Sequence, residues 1–182
     1  MLLQKHPFLT FLIGARASGK STLGHLLAAK LTFVFVDTDQ QIRAISGLEV
    51  DEIVARNGWP AFRAQESAVL RECARPRTVV ATGGGMVLDP RNCEFMRATG
   101  TVVFLDVPAQ FLSSRLAADP RALQRPSLTG RSPAEEIAQV LAEREPMYRA
   151  AAHHIVNAVR PLPELVREIA DIILQPWGSG SM

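Results

Sequence analysis

Two short stretches hold side chains whose types and spacing can do chemistry. The first is GARASGKST, residues 14–22, which fits G-x-x-x-x-G-K-[ST] with Gly14, Gly19, Lys20 and Ser21. Glycine lets the backbone bend so that successive N–H groups point at phosphate oxygens, and a following helix offers its N-terminus to the same negative charge. In such a pattern Lys20 reaches the β- and γ-phosphates of a nucleotide, and the Ser21 hydroxyl coordinates Mg²⁺. An apolar strand pattern precedes the stretch and an amphipathic helical pattern follows it, so it reads as a nucleotide site and not as a turn that binds nothing. The second stretch is Asp37-Thr38-Asp39, two carboxylates at the end of an apolar run. Residues i and i+2 of an extended segment point to one side, so both acids are expected to converge on a pocket at the carboxyl edge of a sheet. Carboxylates so close repel unless a cation or a positive side chain lies between them, and Mg²⁺ with an Arg would supply that. The alternative is that Asp39 only caps the helix beginning QQIRAI.

The elements that must position these residues follow from periodicity. Five apolar runs, residues 8–13, 33–36, 78–82, 101–106 and 153–156, read as strands of a parallel sheet covered on both faces. Helical patterns lie between them. Leu23, Leu26, Leu27 and Leu31 form a stripe after the first strand. Asp89-Pro90 supplies an N-cap with Pro at the first helical position, and Gly100 the stop. Ser132 to Glu135 reads as a capping box opening a helix to about Arg149, and a last helix runs from Glu164 to Leu174 with Leu165, Ile169, Ile172 and Ile173 on one face. Alternating strands and helices argue for a doubly wound α/β fold. Two excursions exceed simple crossovers: the interval between the second and third strands, and residues 117–131, rich in Pro and Arg. Such segments predict an acceptor-binding subdomain, about 38–66, and a lid.

Composition narrows the class. A chain of 182 residues with 47% apolar and 21% charged residues suits one domain, taken as 1–175 with a small polar tail at 176–182. The net charge of +2 gives no argument for nucleic acid or any other acidic partner. Cys73 and Cys93 lie apart from any metal-ligand spacing and read as free thiols of a reducing compartment. The run FLTFLI is far too short to span a bilayer, and the expectation is a cytoplasmic protein with no membrane partner. Lys is confined to Lys5, Lys20 and Lys30, so the N-K-x-D box of a GTPase is absent. Asp106 ends an apolar strand as a Walker-B acid would, but Val107-Pro108 follow, and a helix-capping role is expected for it. Asp37 is then the candidate metal carboxylate.

At this point the sequence resembles a shikimate kinase over nearly its whole length. The P-loop, Asp37-Thr38-Asp39, Phe62-Arg63-Ala64-Gln65-Glu66, the A-T-G-G-G of residues 81–85, the R-P-x-L-T-G of 125–130 and the E-R-x-x-x-Y of 143–148 occur in the family's order. The resemblance implies a P-loop fold of the nucleoside-monophosphate-kinase type and ATP-dependent phosphorylation of the 3-hydroxyl of shikimate. It further implies that Gly14, Ala17, Ser18, Gly19, Lys20, Ser21, Thr22 and Arg125 bind ATP, and that Ser21 and Asp37 hold one Mg²⁺. Asp39, Arg63, Gly84 and Arg144 would bind shikimate, with Lys20, Arg16 and Arg125 neutralising charge during transfer. A monomer is the family's expectation. Ala17 departs from the common pattern, where many members carry Gly; its Cβ is expected to keep φ in the ordinary range.

The residue chemistry agrees. Arg63 and Arg144 suit a carboxylate because guanidinium binds it bidentately. Asp39 can orient an attacking hydroxyl and take its proton. Gly84 lets backbone approach a small ring. Glu66, three residues after Arg63 on a helix, is expected to hold that Arg. Trp59 reads either as pocket lining or as part of a packed turn, Tyr148 as an anchor for its helix, and His153-His154 as a strand opening without a metal. The rival functions are a P-loop kinase for another small acceptor, such as gluconate or a nucleoside monophosphate, and a non-catalytic ATP-binding domain.

Overall fold

All five apolar runs pair into one parallel sheet in the computed structural model, which describes residues 6, 8–118 and 133–175. The strands are β1 (Thr10–Ile13), β2 (Val34–Asp37), β3 (Thr78–Ala81), β4 (Thr101–Asp106) and β5 (His154–Asn157), in the order β2-β3-β1-β4-β5. β1 and β3 are buried throughout, which is why they read as continuous apolar runs, whereas the edge strands expose Val34 and Ile155. Seven helices are described: α1 (Lys20–Leu31), α2 (Thr38–Ser46), α3 (Val50–Cys73), α4 (Pro90–Thr99), α5 (Ala109–Ala117), α6 (Pro133–Ala151) and α7 (Leu162–Leu174).

Strand alternation divides the core. Leu12, Val79, Val103 and Leu105 pack with Leu23 and Leu27 of α1, Leu112 of α5, and Leu165, Ile169 and Ile173 of α7. Phe11, Ile13, Val80, Val102 and Phe104 turn to the other face, against Leu70 of α3, Met96 of α4 and Tyr148 of α6. Period-2 side chains on a sheet covered twice give this two-sided core. The long interval between β2 and β3 is filled by α2 and α3, the latter broken at Gly58 (φ 76°, ψ 167°). Ile42, Ile53, Phe62 and Val69 make a small separate core there. None of the described helices is long and apolar enough to cross a membrane.

Local expectations meet two corrections, at Asp106 and Ala17. Asp106 does not cap α5, whose N-cap is Pro108 without a side-chain bond; its carboxylate instead accepts from Arg149 Nη2 of α6 at 2.7 Å. Gly100 ends α4 as expected, its N–H bonding the Met96 carbonyl, in extended backbone. Glycine is needed there for space, because a Cβ would lie 2.7 Å from the Leu9 carbonyl oxygen and 2.9 Å from Phe11. Ala17 takes φ 62°, in the left-handed region, despite its Cβ. The loop between β1 and α1 requires it: Ser18 N–H turns back to the Ala15 carbonyl, and Arg115 donates to the carbonyls of Ala17 and Ser18. Asp89 caps α4 as expected, accepting from Arg91 N–H. The lid, with Arg125, the capping Ser132 and the tail 176–182 lie outside the described residues, save for Ala117 and Ala118 at the lid's start.

Two substitutions test this account. A left-handed Ala costs about 1–2 kcal/mol, partly offset by the greater unfolded-state freedom of Gly, so Ala17→Gly should raise stability by ~0.5–1 kcal/mol. Gly100→Ala should lower it by ~1–3 kcal/mol through overpacking alone. Urea midpoints at constant slope measure both; a stabilised Gly100→Ala or a destabilised Ala17→Gly would refute the respective reading.

Candidate active site

The P-loop, the paired acids and the glycine segment leave the carboxyl edge of the sheet, and α3 and α6 bring Arg63, Glu66, Arg144 and Tyr148 to them. Ile13 leads into the P-loop, Asp37 into α2, and Ala81 into the glycines 83–85, with Asp37 paired to Ala81 across the sheet. In the P-loop Gly14 has φ 146° and a Cβ there would lie 3.0 Å from the Leu105 carbonyl, so only glycine fits. Gly19, φ 95°, turns the chain into α1. Lys20 folds over the loop, its ammonium donating to the carbonyls of Gly14 (2.9 Å) and Ala15 (2.7 Å) and to Ser18 Oγ (3.3 Å). Ser18 is buried, whereas Ser21 and Thr22 are exposed on the first turn of α1.

Asp37 joins this loop to the acceptor side. One carboxylate oxygen, Oδ2, accepts from Ser21 Oγ at 2.6 Å, and the other caps α2 by accepting from the N–H groups of Asp39 (3.0 Å) and Gln40 (3.2 Å). The paired acids are therefore not aligned by a strand pleat. β2 ends at Asp37, and Asp39 stands in the first turn of α2. Nor does Asp39 cap that helix, because Asp37 does. Like charges so near in sequence are kept apart by different duties, one facing α1 and the helix N–H groups, the other facing residue 83. Adjacent hydroxyl and carboxylate oxygens of Ser21 and Asp37 are the hard donors Mg²⁺ prefers, so the pair fits that ion.

The glycine segment collects the remaining residues. A Cβ on Gly83 would lie 2.7 Å from both Asp39 Oδ1 and Glu66 Oε1, so these two carboxylates flank the same backbone. Buried Thr38 accepts the Gly83 N–H at 2.9 Å. The Gly84 carbonyl accepts from Tyr148 Oη (2.6 Å) and Arg144 Nη1 (3.2 Å). A Cβ on Gly85 would overlap the Arg63 guanidinium, which Glu66 holds in an ion pair. Burial pushes the Glu66 carboxyl above its usual range, against the pull of Arg63. Arg63 also packs 5.1 Å from the Trp59 ring and 5.4 Å from Phe62. Trp59 follows the Gly58 break, as a packed turn would, and its ring flanks the guanidinium.

Asp39, Arg63, Gly84 and Arg144 are brought together around residues 83–85, and Gly84 borders the P-loop, a Cβ there lying 3.6 Å from Arg16 N and from Gly14 O. At these distances Gly84 is the one of the three glycines at which a Cβ would make only ordinary van der Waals contacts within the chain, while its carbonyl is engaged by two donors. His153 Nδ1 accepts from Val102 N–H, and no metal-binding cluster exists among the described residues. Thr38, Gly83, Gly85 and Arg115 were not expected. A hydroxyl wedged between two acids was the available signal for Thr38. Arg115, which donates to Ala17, Ser18 and Ala158 carbonyls, had none, since a cation in a last helical turn is ordinary.

Comparison with known proteins adds to this geometry. The family model described as shikimate kinase matches residues 16–175. The chain is 50% identical to shikimate kinase 2 of Dickeya chrysanthemi over 166 residues, 91% of this chain and 96% of that protein. It is 51% identical to shikimate kinase 2 of Syntrophotalea carbinolica over 160 residues, 87% and 93% of the two chains. The solved shikimate kinase from Acinetobacter baumannii in complex with shikimate superposes with a TM-score of 0.85 at 32% identity, covering 94% of this chain and 95% of that one. With its P-loop, paired acids and triple-glycine segment in one cleft, the chain belongs to the shikimate kinase family.

Proposed function

We propose that the protein transfers the γ-phosphate of ATP to the 3-hydroxyl of shikimate, giving 3-phosphoshikimate and ADP on the route to aromatic amino acids. The observation that carries this reading is the meeting of Asp39, Arg63 and Arg144 on residues 83–85 beside the P-loop. An acceptor with a carboxylate and several hydroxyls needs two cationic forks and one acceptor oxygen, and these residues supply them. A nucleoside monophosphate would not call for that combination; gluconate also carries a carboxylate and hydroxyls, and the 50% and 51% identities to shikimate kinases argue against it.

Each residue then has a task in phosphoryl transfer, where alignment and charge neutralisation supply most of the rate. Lys20 and the loop residues Gly14, Ala17, Ser18, Gly19, Ser21 and Thr22 cradle the ATP phosphates. Ser21 and Asp37 would hold Mg²⁺, which when bound spreads the charge on the phosphate oxygens. Arg63 and Arg144 bind the shikimate carboxylate, and Gly84 lets the main chain lie close to the ring. Asp39 accepts the proton of the attacking hydroxyl and orients its oxygen. Arg16 adds positive charge beside the transferring group, and Arg125 is assigned to ATP on its lid motif alone. The proposal takes the protein to work as a cytoplasmic monomer.

ADP release by the purified protein should follow addition of shikimate with ATP and Mg²⁺. Turnover of gluconate or a nucleoside monophosphate with none of shikimate would reject the assignment. Asp39→Asn keeps size and hydrogen bonding but removes the base, so turnover should fall by about 10²–10⁴-fold while the ATP dissociation constant stays within about twofold. Undiminished turnover in that variant removes Asp39 from the mechanism.

A further inference from the structure

Residues 83–85 touch every acceptor-side group, and besides Arg144 and the backbone bonds from Met86 N–H to the Gly83 carbonyl and from Leu88 N–H to the Gly85 carbonyl, two side chains outside that set hold them. On one side, Thr38 Oγ1 takes the Gly83 N–H at 2.9 Å, and the Thr38 side chain is wholly buried. On the other, Tyr148 Oη donates to the Gly84 carbonyl at 2.6 Å, its ring stacked on Phe104 with centroids 5.2 Å apart.

We propose that Thr38 and Tyr148 are positioning residues for the acceptor, acting through the glycine segment: Thr38 sets Asp39 against residue 83, and Tyr148 sets Arg144 against residue 84. The inference rests on the reading that Asp39 and Arg144 bind shikimate.

Thr38 is the residue next to Asp39, so any slip between its hydroxyl and the Gly83 N–H displaces the Asp39 carboxylate relative to the backbone it packs on. Removal of the hydroxyl leaves a buried N–H without its acceptor, and the segment must move to find another. Tyr148 lies four residues beyond Arg144 on α6, one helical turn away, and both donate to the same oxygen. A carbonyl oxygen has two lone pairs, and here two donors share them. Without the phenol, the guanidinium becomes the single side-chain donor to that oxygen and is drawn onto it, away from an incoming carboxylate. The phenol stays a donor at working pH, since burial pushes its pKa up to about 12. Neither residue touches Lys20, Ser21 or the P-loop carbonyls through the bonds described, so their effect should fall on one substrate and not the other.

The test is steady-state kinetics of Tyr148→Phe, Thr38→Val and Thr38→Ser with each substrate varied in turn, alongside Arg144→Lys as a marker of the acceptor site. Tyr148→Phe retains the ring and its stacking. We expect KM for shikimate to rise about tenfold in Tyr148→Phe and Thr38→Val, the equivalent of one lost neutral hydrogen bond. KM for ATP should stay within about twofold, and Thr38→Ser, which keeps the hydroxyl, should restore the native value. Unchanged KM for shikimate in Tyr148→Phe, or equal rises for both substrates, would overturn the proposal as a purely structural role. If Thr38→Val does not fold, Tyr148→Phe decides alone. Should Arg144→Lys also leave KM for shikimate unchanged, the assignment of the acceptor side itself fails, which separates that failure from failure of the positioning roles.

Discussion

Main chain packed directly against charge is the constraint on which this site depends. Around residues 83–85 the side chains of Asp39, Glu66 and Arg63 approach so closely that a Cβ on Gly83 or Gly85 would displace their charged ends. That closeness lets three separate elements, α2, α3 and α6, be indexed against one short stretch of backbone. Backbone has little freedom once its N–H and carbonyl are engaged, so it makes a better datum than a side chain would. Its attachment to β3, a fully buried strand beside β1, fixes the stretch relative to the P-loop that follows β1.

Charge balance follows from that geometry. Glu66 is buried beside Asp39, an arrangement that would be costly for two isolated carboxylates. Arg63 offsets it from the same helix, three residues earlier, and is itself steadied by the rings of Trp59 and Phe62. A continuous helix from Val50 would carry Trp59 in register with the preceding turn; the left-handed Gly58 interrupts it and resets the register just before the charged pair. The break in α3 thus belongs to the site and not only to the topology.

Much of the fold was legible because parallel strands covered on both faces show themselves as short apolar runs, and β1, β3 and β4 are of that kind. Candidate residues were equally legible where a motif fixes both type and spacing, as in Gly14, Gly19 and Lys20. What periodicity could not reveal was the conformation at the joins. Asp37-Thr38-Asp39 looks extended as text, but Asp37 ends β2 by capping α2, so the second acid enters a helix and the pleat rule no longer applies. Ala17 defeated a steric expectation because hydrogen bonds from Arg115, nearly a hundred residues away, help to hold its left-handed turn. Long-range partners of this sort leave no local mark on a sequence.

The placement of Asp106 completes the electrostatic argument. In a Walker-B arrangement a strand-end acid beside β1 would serve the metal, and β4 offers such an acid next to β1. Here its carboxylate is engaged by Arg149, which also bonds Glu145, so the negative charge at that strand end is offset by a guanidinium from α6. Ser21 is bonded instead to Asp37, from the far side of β3 in the sheet. In the proposed mechanism Asp37, at the end of β2, would be the metal acid, within two residues of the proposed base, Asp39. One chain segment would then serve both halves of the proposed reaction. The two sides of that reaction meet on this short turn, but its Asp37 end is bonded to Ser21 and its Thr38 to Gly83. Loss of the Thr38 bond would therefore fall on the acceptor side, while the Asp37 bond still ties the turn to α1.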